Sequence, residues 1–298
     1  MARGRDGRDG QKEKASEGTP DEAAPASALA RIWEQVSTLL LAVVIALTIR
    51  LFLIEPFRIP SESMLPTLLI GDHLFVNKFV YGAKIPFTDY RLPGLRDPQR
   101  GDVVVFAVAR EDDRLNSRIH PADERPDLPE DDFVKRIVGL PGDRIEVRRN
   151  RVYINDRLVE RVDTQGTFVD GDGHRLEIQR EHLDGCEHAV LDNPHSPGQR
   201  RAPMVVPPGR YFMMGDNRDH SNDSRVWGTV RLEEIQGPAF VLYWSWDVNG
   251  NFLQFLNPVN WWSADKRWGR ILSRVRCMEP DESLADVGIE SSVAAVTR

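Results

Sequence analysis

The longest apolar stretch of this chain lies near its beginning. Residues 36–49 contain no charged side chain, and after Arg50 the apolar run continues to Ile54. A run of about 19 residues is close to the length that a helix needs to cross the hydrocarbon of a bilayer. Its three hydroxyl side chains do not form the polar face that a core helix of a soluble domain normally shows. The pattern therefore predicts one transmembrane helix over residues 36–54.

A cleaved secretory signal is the alternative interpretation of this run. Such a signal ends in small residues before its cleavage site. Here the run is followed by Glu55-Pro56-Phe57-Arg58, which is a poor cleavage site. A retained membrane anchor is therefore favoured.

The distribution of basic residues predicts the orientation of this anchor, because Lys and Arg concentrate on the cytoplasmic side of a span. The basic residues before the run are Arg3, Arg5, Arg8, Lys12, Lys14 and Arg31. Arg58 is the one basic residue in the next twenty. The N-terminus is therefore predicted to be cytoplasmic, with everything after the span on the other side.

After the apolar run, short segments that alternate apolar and polar residues are separated by turn residues. This pattern is typical of an antiparallel, mainly β domain. The predicted strands are 73–81, 102–108, 133–140, 144–147, 151–155, 211–214 and 235–244. Residues 110–132 hold nine acidic residues, four arginines and three prolines, which predicts a solvated loop.

Composition divides the chain into segments. Both ends are poor in large apolar side chains, so they cannot repay the entropy of ordering. The predicted order is a disordered cytoplasmic tail (1–35), the span (36–54), a β domain (55–155 and 208–278) interrupted by an inserted smaller β subdomain (156–207), and a flexible C-terminal tail (279–298).

Charge and cysteine content narrow the function classes. The net charge of −7 and the absence of a basic stripe argue against a nucleic-acid partner. Two cysteines, Cys186 and Cys277, are compatible with one disulfide or with two free thiols. The nearest set of metal ligands is Cys186 with His182 and His188, one fewer than a structural zinc requires. Neither a metal site nor another cofactor is predicted.

A serine-rich turn follows the apolar run, with the sequence Pro60-Ser61-Glu62-Ser63-Met64-Leu65-Pro66. A serine hydroxyl is a weak nucleophile and needs an adjacent base. Ser63 lacks the Gly-x-Ser-x-Gly turn of the α/β-hydrolases, so a lysine base is worth considering. The alternative is that these serines only satisfy backbone groups in a turn.

Lys135 is the candidate base. Strand alternation places it on the same face as Phe133 and Ile137, while Arg136 points the other way. Apolar surroundings lower a lysine pKa, whereas an arginine stays protonated. The alternative is an ordinary strand lysine whose amine reaches solvent.

A third cluster of small polar residues follows the apolar run 211–214. It reads Gly215-Asp216-Asn217-Arg218-Asp219-His220-Ser221-Asn222-Asp223-Ser224-Arg225 and is followed by Trp227-Gly228. By itself this cluster is equally consistent with a plain Asx-rich turn.

Taken together and in this order, these segments resemble the bacterial type I signal peptidases, also called leader peptidases. The motifs that carry the resemblance are the serine-rich turn through Leu68, Gly71-Asp72, Arg100 to Phe106, Lys135 to Asp143, and Gly215 to Gly228. The resemblance covers residues 36–108, 133–155 and 208–245.

The resemblance implies a Ser-Lys dyad. Ser63 would be the nucleophile, and Lys135 the general base that later gives its proton to the leaving amine. Ser61 and the backbone N–H of Ser63 would donate to the oxyanion, since negative charge developing on a carbonyl needs fixed donors.

The same resemblance implies supporting roles for four further residues. Ser221 would hydrogen-bond the lysine amine, and Asp223 with Arg225 would form an ion pair that holds the turn. Arg136 would be a structural arginine beside the base. Glu62 stands where relatives often have Gly, and it is expected to point to solvent.

The implied activity is that of a membrane-bound serine endopeptidase that removes signal peptides from secretory preproteins after small-x-small sites, through an acyl-enzyme. Candidates for shallow apolar substrate pockets are Phe57, Ile59, Ile137 and Val138. The implied location is the inner (plasma) membrane, with the catalytic domain on the periplasmic side. Membrane lipid and the protein-export translocon are the further partners implied.

The tryptophans near the C-terminus allow two interpretations. Trp244, Trp246, Trp261 and Trp262 suit either a surface resting on the membrane interface or a sheet core.

A non-catalytic, membrane-anchored β module would also fit the anchor and the strands, although it would not need the lysine or the third cluster. A self-cleaving protein like the SOS-response repressors would need a DNA-binding domain and a soluble chain, which the span does not fit.

Overall fold

The computed structural model covers most of the chain between residues 28 and 278. It describes residues 28–85, 88, 90–112, 118–171, 173–247 and 265–278, with side chains from residue 32 on. Of the disordered tail predicted for residues 1–35, residues 1–27 lie outside the described residues, as do the predicted tail 279–298 and Trp261 and Trp262. The prediction is wrong for residues 28–35, which are helical. The chain divides into two units, of which the first ends at Ala46 and the second begins at Leu47.

The apolar run forms helix α1, Ala28–Phe52. Its segment Ile32–Phe52 has 21 residues with a mean hydropathy of 2.0, and none of them is buried in the protein. The helix is therefore long and apolar enough to cross a membrane. It ends at Phe52 and not at Ile54, because Ile54 already pairs with Asn77 in the first strand.

Sixteen strands follow α1 in the described part of the chain. In chain order they are β1 (Ile54–Arg58), β2 (Asp72–Asn77), β3 (Val103–Arg110), β4 (Ile119–Pro121), β5 (Glu130–Gly139), β6 (Arg144–Arg148), β7 (Arg151–Ile154), β8 (Arg157–Leu158), β9 (Glu160–Val169), β10 (Arg175–Leu183), β11 (Cys186–Asp192), β12 (Arg201–Val205), β13 (Arg210–Met214), β14 (Val230–Arg231), β15 (Ile235–Asp247) and β16 (Asp265–Lys266). A one-turn helix, α2 (Ser224–Trp227), lies between β13 and β14.

Nine of these strands form the main sheet. Seven follow the order β1-β2-β15-β3-β5-β13-β14, with β4 added to β3 and β16 to β15. Every pairing is antiparallel, which confirms the predicted antiparallel, mainly β fold. Strand β5 lies between β3 and β13, so its middle is protected from solvent by neighbours on both sides.

Two smaller sheets have the orders β11-β10-β9 and β12-β6-β7-β8. In the second, β6 and β7 precede residue 155, whereas β8 and β12 follow it. One sheet therefore joins strands from both sides of the predicted boundary at residue 155. Strands also extend through the segment 156–207 that was predicted as an inserted β subdomain.

The segment 110–132, predicted to be a loop, contains strand residues. β3 runs to Arg110, β4 pairs with it, and β5 already begins at Glu130. The prediction was wrong because charge was taken to exclude pairing. At this edge the charges compensate each other, as Arg110 donates to Asp131 at 2.9 Å.

Cys186 and Cys277 form a disulfide across a sequence separation of 91 residues. The bond links β11 to the segment that follows β16. In the chain-entropy account, a disulfide that closes a loop of this length stabilises the folded state by about 4–5 kcal/mol. A Cβ added at Gly101 would lie 2.3 Å from the Cys186 sulfur. Because Cys186 is bonded in this way, it cannot serve as a thiolate ligand to a metal.

The tryptophans near the C-terminus differ in exposure. Trp246 is buried and Trp244 is half-buried, with their rings in edge contact at 6.0 Å. Trp268 is 67% exposed. Trp246 is thus a core residue, whereas Trp268 is available at the surface.

Candidate active site

Ser63 lies on a single 3₁₀ turn, Glu62–Met64, in the connection between β1 and β2. Ser61 precedes this turn in extended conformation. Met64 is 1% exposed and packs into the core with Leu68 and Leu74. The buried Met64 side chain fixes the turn, while Ser63 itself remains 8% exposed.

Lys135 lies in the middle of β5 and directs its amine at this serine. Its Nζ donates to Ser63 Oγ at 2.8 Å and to the Val134 carbonyl at 3.0 Å. The lysine is only 3% exposed. The Phe133 ring centroid lies 5.0 Å from Nζ, as strand alternation predicted. This is the geometry that a serine nucleophile and its base require.

Burial lowers the pKa of Lys135 to about 8, because the ammonium form loses its hydration. The negative charge of Asp223 opposes this shift, the guanidinium of Arg225 adds to it, and Asp216 opposes it to a lesser degree. A lysine with this pKa is partly neutral in mildly alkaline solution. Its amine can then accept a proton.

Ser221 does not hydrogen-bond the lysine, contrary to the prediction. Its hydroxyl donates to Asp223 Oδ2 at 2.7 Å instead. Asp223 also accepts from Arg225, through Nε at 2.8 Å and Nη2 at 2.7 Å. The expected Asp223–Arg225 ion pair is present and fully buried.

Gly215 and Asn217 hold this turn against the serine. The Asn217 backbone N–H donates to the Ser63 carbonyl at 3.1 Å, and its side-chain amide donates to the Glu62 carbonyl at 3.2 Å. A Cβ at Gly215 would lie 2.4 Å from the Ser63 carbonyl oxygen and 2.3 Å from Ser221 Oγ. Only a glycine allows the two loops to approach this closely.

Arg136, the neighbour of the candidate base, forms a bidentate pair with Asp216. Nε and Nη2 donate to the two carboxylate oxygens at 2.8 and 2.7 Å, and Nη1 donates to the Gly101 carbonyl at 2.7 Å. Burial alone would raise the pKa of Asp216, but the Arg136 charge holds it below its ordinary value. The pair therefore joins β5 to the third cluster.

Ser61 lies on the exposed side of the nucleophile. Its Oγ is 3.4 Å from Ser63 Oγ, so either hydroxyl can donate to the other. From this position the Ser61 hydroxyl can reach a group bound at Ser63.

The family model described as "Signal peptidase, peptidase S26" matches residues 32–244 of this chain. The match covers well over half of the sequence and includes both Ser63 and Lys135. The chain belongs to this family.

Individual relatives agree with this assignment. The signal peptidase I of Pseudomonas aeruginosa is 38% identical over 222 residues, which cover 68% of this chain and 69% of that protein. The signal peptidase I of Pseudomonas fluorescens is 39% identical over 219 residues, with shares of 68% and 69%. A crystal structure of a signal peptidase I from Enterococcus faecalis is 23% identical and covers 48% of this chain and 97% of that chain. Its TM-score of 0.27 is too low to bear on the fold.

As a member of the signal peptidase S26 family, this protein is a serine peptidase and therefore a hydrolase. Family membership and helix α1 together indicate a membrane-anchored enzyme. Both conclusions agree with what the sequence motifs implied.

The predicted substrate-pocket residues are mostly part of the protein core. Ile137 and Val138 are 0% exposed and pack into two different apolar clusters, and Ile59 is 2% exposed. Both faces of β5 are covered here, so a side chain on either face of the strand lies in one of these two apolar clusters. Phe57 is half-buried and is the one candidate of the four with accessible surface.

Glu62 does not extend into solvent as expected. Its side chain is 27% exposed, and its Oε2 lies 4.0 Å from His220 Nδ1. On its other side Oε1 faces Gly171, where an added Cβ would lie 2.8 Å away. The carboxylate thus lies between the third cluster and the connection from β9 to β10.

The sequence did not reveal the contacts that Gly215, Asp216 and Asn217 make with the nucleophile loop. Their motif was recognised, yet nothing in a linear pattern specifies that Asn217 binds the Ser63 carbonyl. The dense Gly-Asp-Asn-Arg spacing was the signal that could have identified them.

Proposed function

We propose that this protein removes N-terminal signal peptides from secretory preproteins, with Ser63 as nucleophile and Lys135 as general base. One observation carries the proposal: Ser63 Oγ lies 2.8 Å from the amine of a buried lysine whose pKa is lowered to about 8. The substrate class comes from the relatives, which are signal peptidases I.

Acylation begins with the neutral form of Lys135. As Ser63 Oγ attacks the carbonyl carbon of the scissile bond, its proton passes to Nζ. The Ser61 hydroxyl and the Ser63 backbone N–H donate to the developing oxyanion. The tetrahedral intermediate then collapses, the C–N bond breaks, and the ammonium of Lys135 protonates the leaving amine. The products are an ester on Ser63 and the free N-terminus of the mature protein.

Deacylation repeats the same proton transfers with water in place of the serine. Neutral Lys135 takes a proton from a water molecule as its oxygen attacks the ester carbon. The proton returns to Ser63 Oγ when the ester bond breaks. Asp223, Arg225 and Ser221 act by fixing the turn beside the amine, and Arg136 acts by tying β5 to that turn through Asp216.

The enzyme would act at the periplasmic face of the inner membrane, with its N-terminus in the cytoplasm. The excess of Lys and Arg before α1 supports this orientation. The Cys186–Cys277 disulfide supports it independently, because such bonds persist in the periplasm and are rare in the cytosol. In that position the active site would be close to membrane lipid and to the translocon from which preproteins emerge.

The rate of cleavage should depend on the size of the side chains just before the scissile bond. The purified full-length protein in detergent micelles should cut a preprotein with Ala at the first and third positions before the bond. Replacing the Ala at the first position by Leu should lower kcat/KM by more than the about 10- to 200-fold that one extra methylene can cause, because a pocket shaped for a methyl group cannot hold three more carbons. Mass spectrometry of both products locates the cut. Equal cleavage of the two substrates would contradict the proposed specificity.

The pH dependence of kcat/KM should report the titration of Lys135. Because only the neutral amine is a base, activity should rise about ten-fold per pH unit below a pKa of about 8 and level off above it. The pKa values of Asp216 and Asp223 are held below normal by Arg136 and Arg225, so these carboxylates stay ionised through this range.

Asp223→Asn provides the control for this assignment. The Asp223 charge raises the pKa of Lys135, so its removal should move the rising limb of the profile to lower pH. Thermal denaturation of the variant verifies that it is folded. A limb that stays in place or moves to higher pH would argue against Lys135 as the titrating group.

A further inference from the structure

Three potential metal ligands meet beside the nucleophile loop, a fourth lies next to one of them, and the proposed reaction uses none of the four. Asp170, His174 and His220 present ligand atoms that all lie within 4.8 Å of one another. Asp170 Oδ2 is 3.1 Å from His174 Nδ1 and 3.9 Å from His220 Nδ1. Glu62 Oε2 adds a fourth ligand atom, 4.0 Å from His220 Nδ1.

The position of this cluster is fixed by the fold around it. Asp170 and His174 flank the turn from β9 to β10, and Asp170 Oδ1 accepts the His174 backbone N–H at 2.7 Å. Asp170 is 2% exposed, so its second oxygen has a defined direction. Arg218, two residues before His220, pairs with Glu181 of β10 in a fully buried contact. The hairpin and the third cluster are therefore held side by side.

The chemistry of the four groups suits one class of ion. Two imidazoles with two carboxylates match the preferences of Zn²⁺ and similar transition metals, whereas Mg²⁺ and Ca²⁺ favour oxygen ligands alone. Tetrahedral zinc with bonds near 2.1 Å places its ligand atoms about 3.4 Å apart. The distances from Asp170 Oδ2 to the two histidines and from Glu62 Oε2 to His220, 3.1–4.0 Å, are close to that spacing. Both histidines are exposed, so their rings have room to rotate toward an ion.

We propose that Glu62, Asp170, His174 and His220 form a binding site for a divalent transition metal such as Zn²⁺, which clips the β9–β10 hairpin to the loop that carries Ser63. The sequence predicted no metal site, because the four ligands come from three separate segments without a recognisable spacing. Glu62 precedes the nucleophile and His220 precedes Ser221, so a bound ion restrains both sides of the candidate active site. The site does not depend on which substrate the enzyme cleaves.

Cobalt binding tests this site directly. The full-length protein without a polyhistidine tag, stripped with EDTA in detergent micelles, is titrated with Co²⁺, whose visible absorption is intense in tetrahedral coordination. We expect a saturable band at one ion per chain, its loss on adding Zn²⁺, and a thermal midpoint that rises with Zn²⁺ but not with Mg²⁺. Absence of the band at excess Co²⁺, or equal stabilisation by Mg²⁺, would overturn the proposal.

Single substitutions assign the ligands. Loss of an outer-shell partner weakens metal affinity by about 10–100-fold, so His174→Ala, His220→Ala and Glu62→Gln should each weaken Co²⁺ binding at least that much. His182→Ala is the matched control. His182 lies on β10 outside the cluster, and its Nδ1 is likewise close to a carboxylate, 3.5 Å from Glu187 Oε1. Its affinity should equal that of the wild type. A band that survives in the His174/His220 double variant overturns the site, and unchanged binding by Glu62→Gln overturns the clip to the nucleophile loop.

Discussion

Lys135→Met should abolish preprotein cleavage while leaving the protein folded. Methionine is unbranched and apolar, so it can occupy the buried space of the lysine stem, yet it offers no amine to accept the Ser63 proton. We expect kcat/KM to fall by at least about 10⁴-fold, since the lysine acts in both proton transfers. Cleavage of a radiolabelled preprotein in detergent micelles measures the loss. The thermal midpoint should be equal or higher, because a buried charge has been removed.

Ser63→Ala should cause a loss of similar size, and the double variant should be no worse than either single variant. Residues that act as one catalytic unit are strongly non-additive. Lys84→Ala is the control, because Lys84 is an exposed lysine, and it should retain the wild-type rate. A Lys135→Met enzyme with near-normal activity would exclude the Ser-Lys dyad. Losses that multiply in the double variant would show that the two residues act independently.

Asp216→Ala should be among the most destabilising substitutions in the protein. It leaves the Arg136 guanidinium, which is 1% exposed, without its bidentate partner. Removing one member of a buried ion pair costs about 3–5 kcal/mol, because the remaining charge is desolvated and uncompensated. Thr67, whose hydroxyl donates to Asp216 at 2.6 Å, loses its acceptor as well. The free energy of unfolding, measured by denaturant titration of the full-length protein in micelles, should fall by this amount.

Two further variants test whether the lost stability comes from the buried ion pair. Asp216→Asn keeps hydrogen-bond acceptance but removes the charge, so its effect should lie between those of the wild type and Asp216→Ala. Asp127→Ala breaks an exposed pair with Arg125, and the unfolding midpoint should not change, since such surface pairs contribute little. If Asp216→Ala were as stable as Asp127→Ala, the pair would not be what joins β5 to the third cluster.

Features with a local physical cause were predictable. The apolar run specified α1 because a bilayer-length helix needs only composition and length, and the alternating segments specified antiparallel strands. The motif order around Ser63, Lys135 and Gly215 was sufficient to identify the family, which the family match confirms. The catalytic roles of Ser63 and Lys135 remain predictions, as do the oxyanion and support roles.

The sequence-based predictions were wrong where the outcome depends on contacts between residues that are distant in the chain. Residues 110–132 were assigned to a loop because charge density was weighted above pairing, although Arg110 and Asp131 neutralise each other across two strands. Ile137 and Val138 were assigned to pockets because alternation along β5 indicates two faces but not what covers them. Glu62 was expected in solvent because the neighbouring histidine and the Gly171 turn are distant in sequence.

The apolar helix, the β class and the identity of the residues that could react follow from the sequence alone, because helix length, strand periodicity and motif spacing are properties of contiguous residues. The folded arrangement of the sheets brings Ser63 and Lys135, 72 positions apart, to a distance of 2.8 Å. The same arrangement desolvates the lysine enough for its pKa to fall to about 8 and places Cys186 next to Cys277, so that they form a disulfide. Distance, desolvation and pairing depend on which faces of the sheets meet, and strand order across the whole domain determines that.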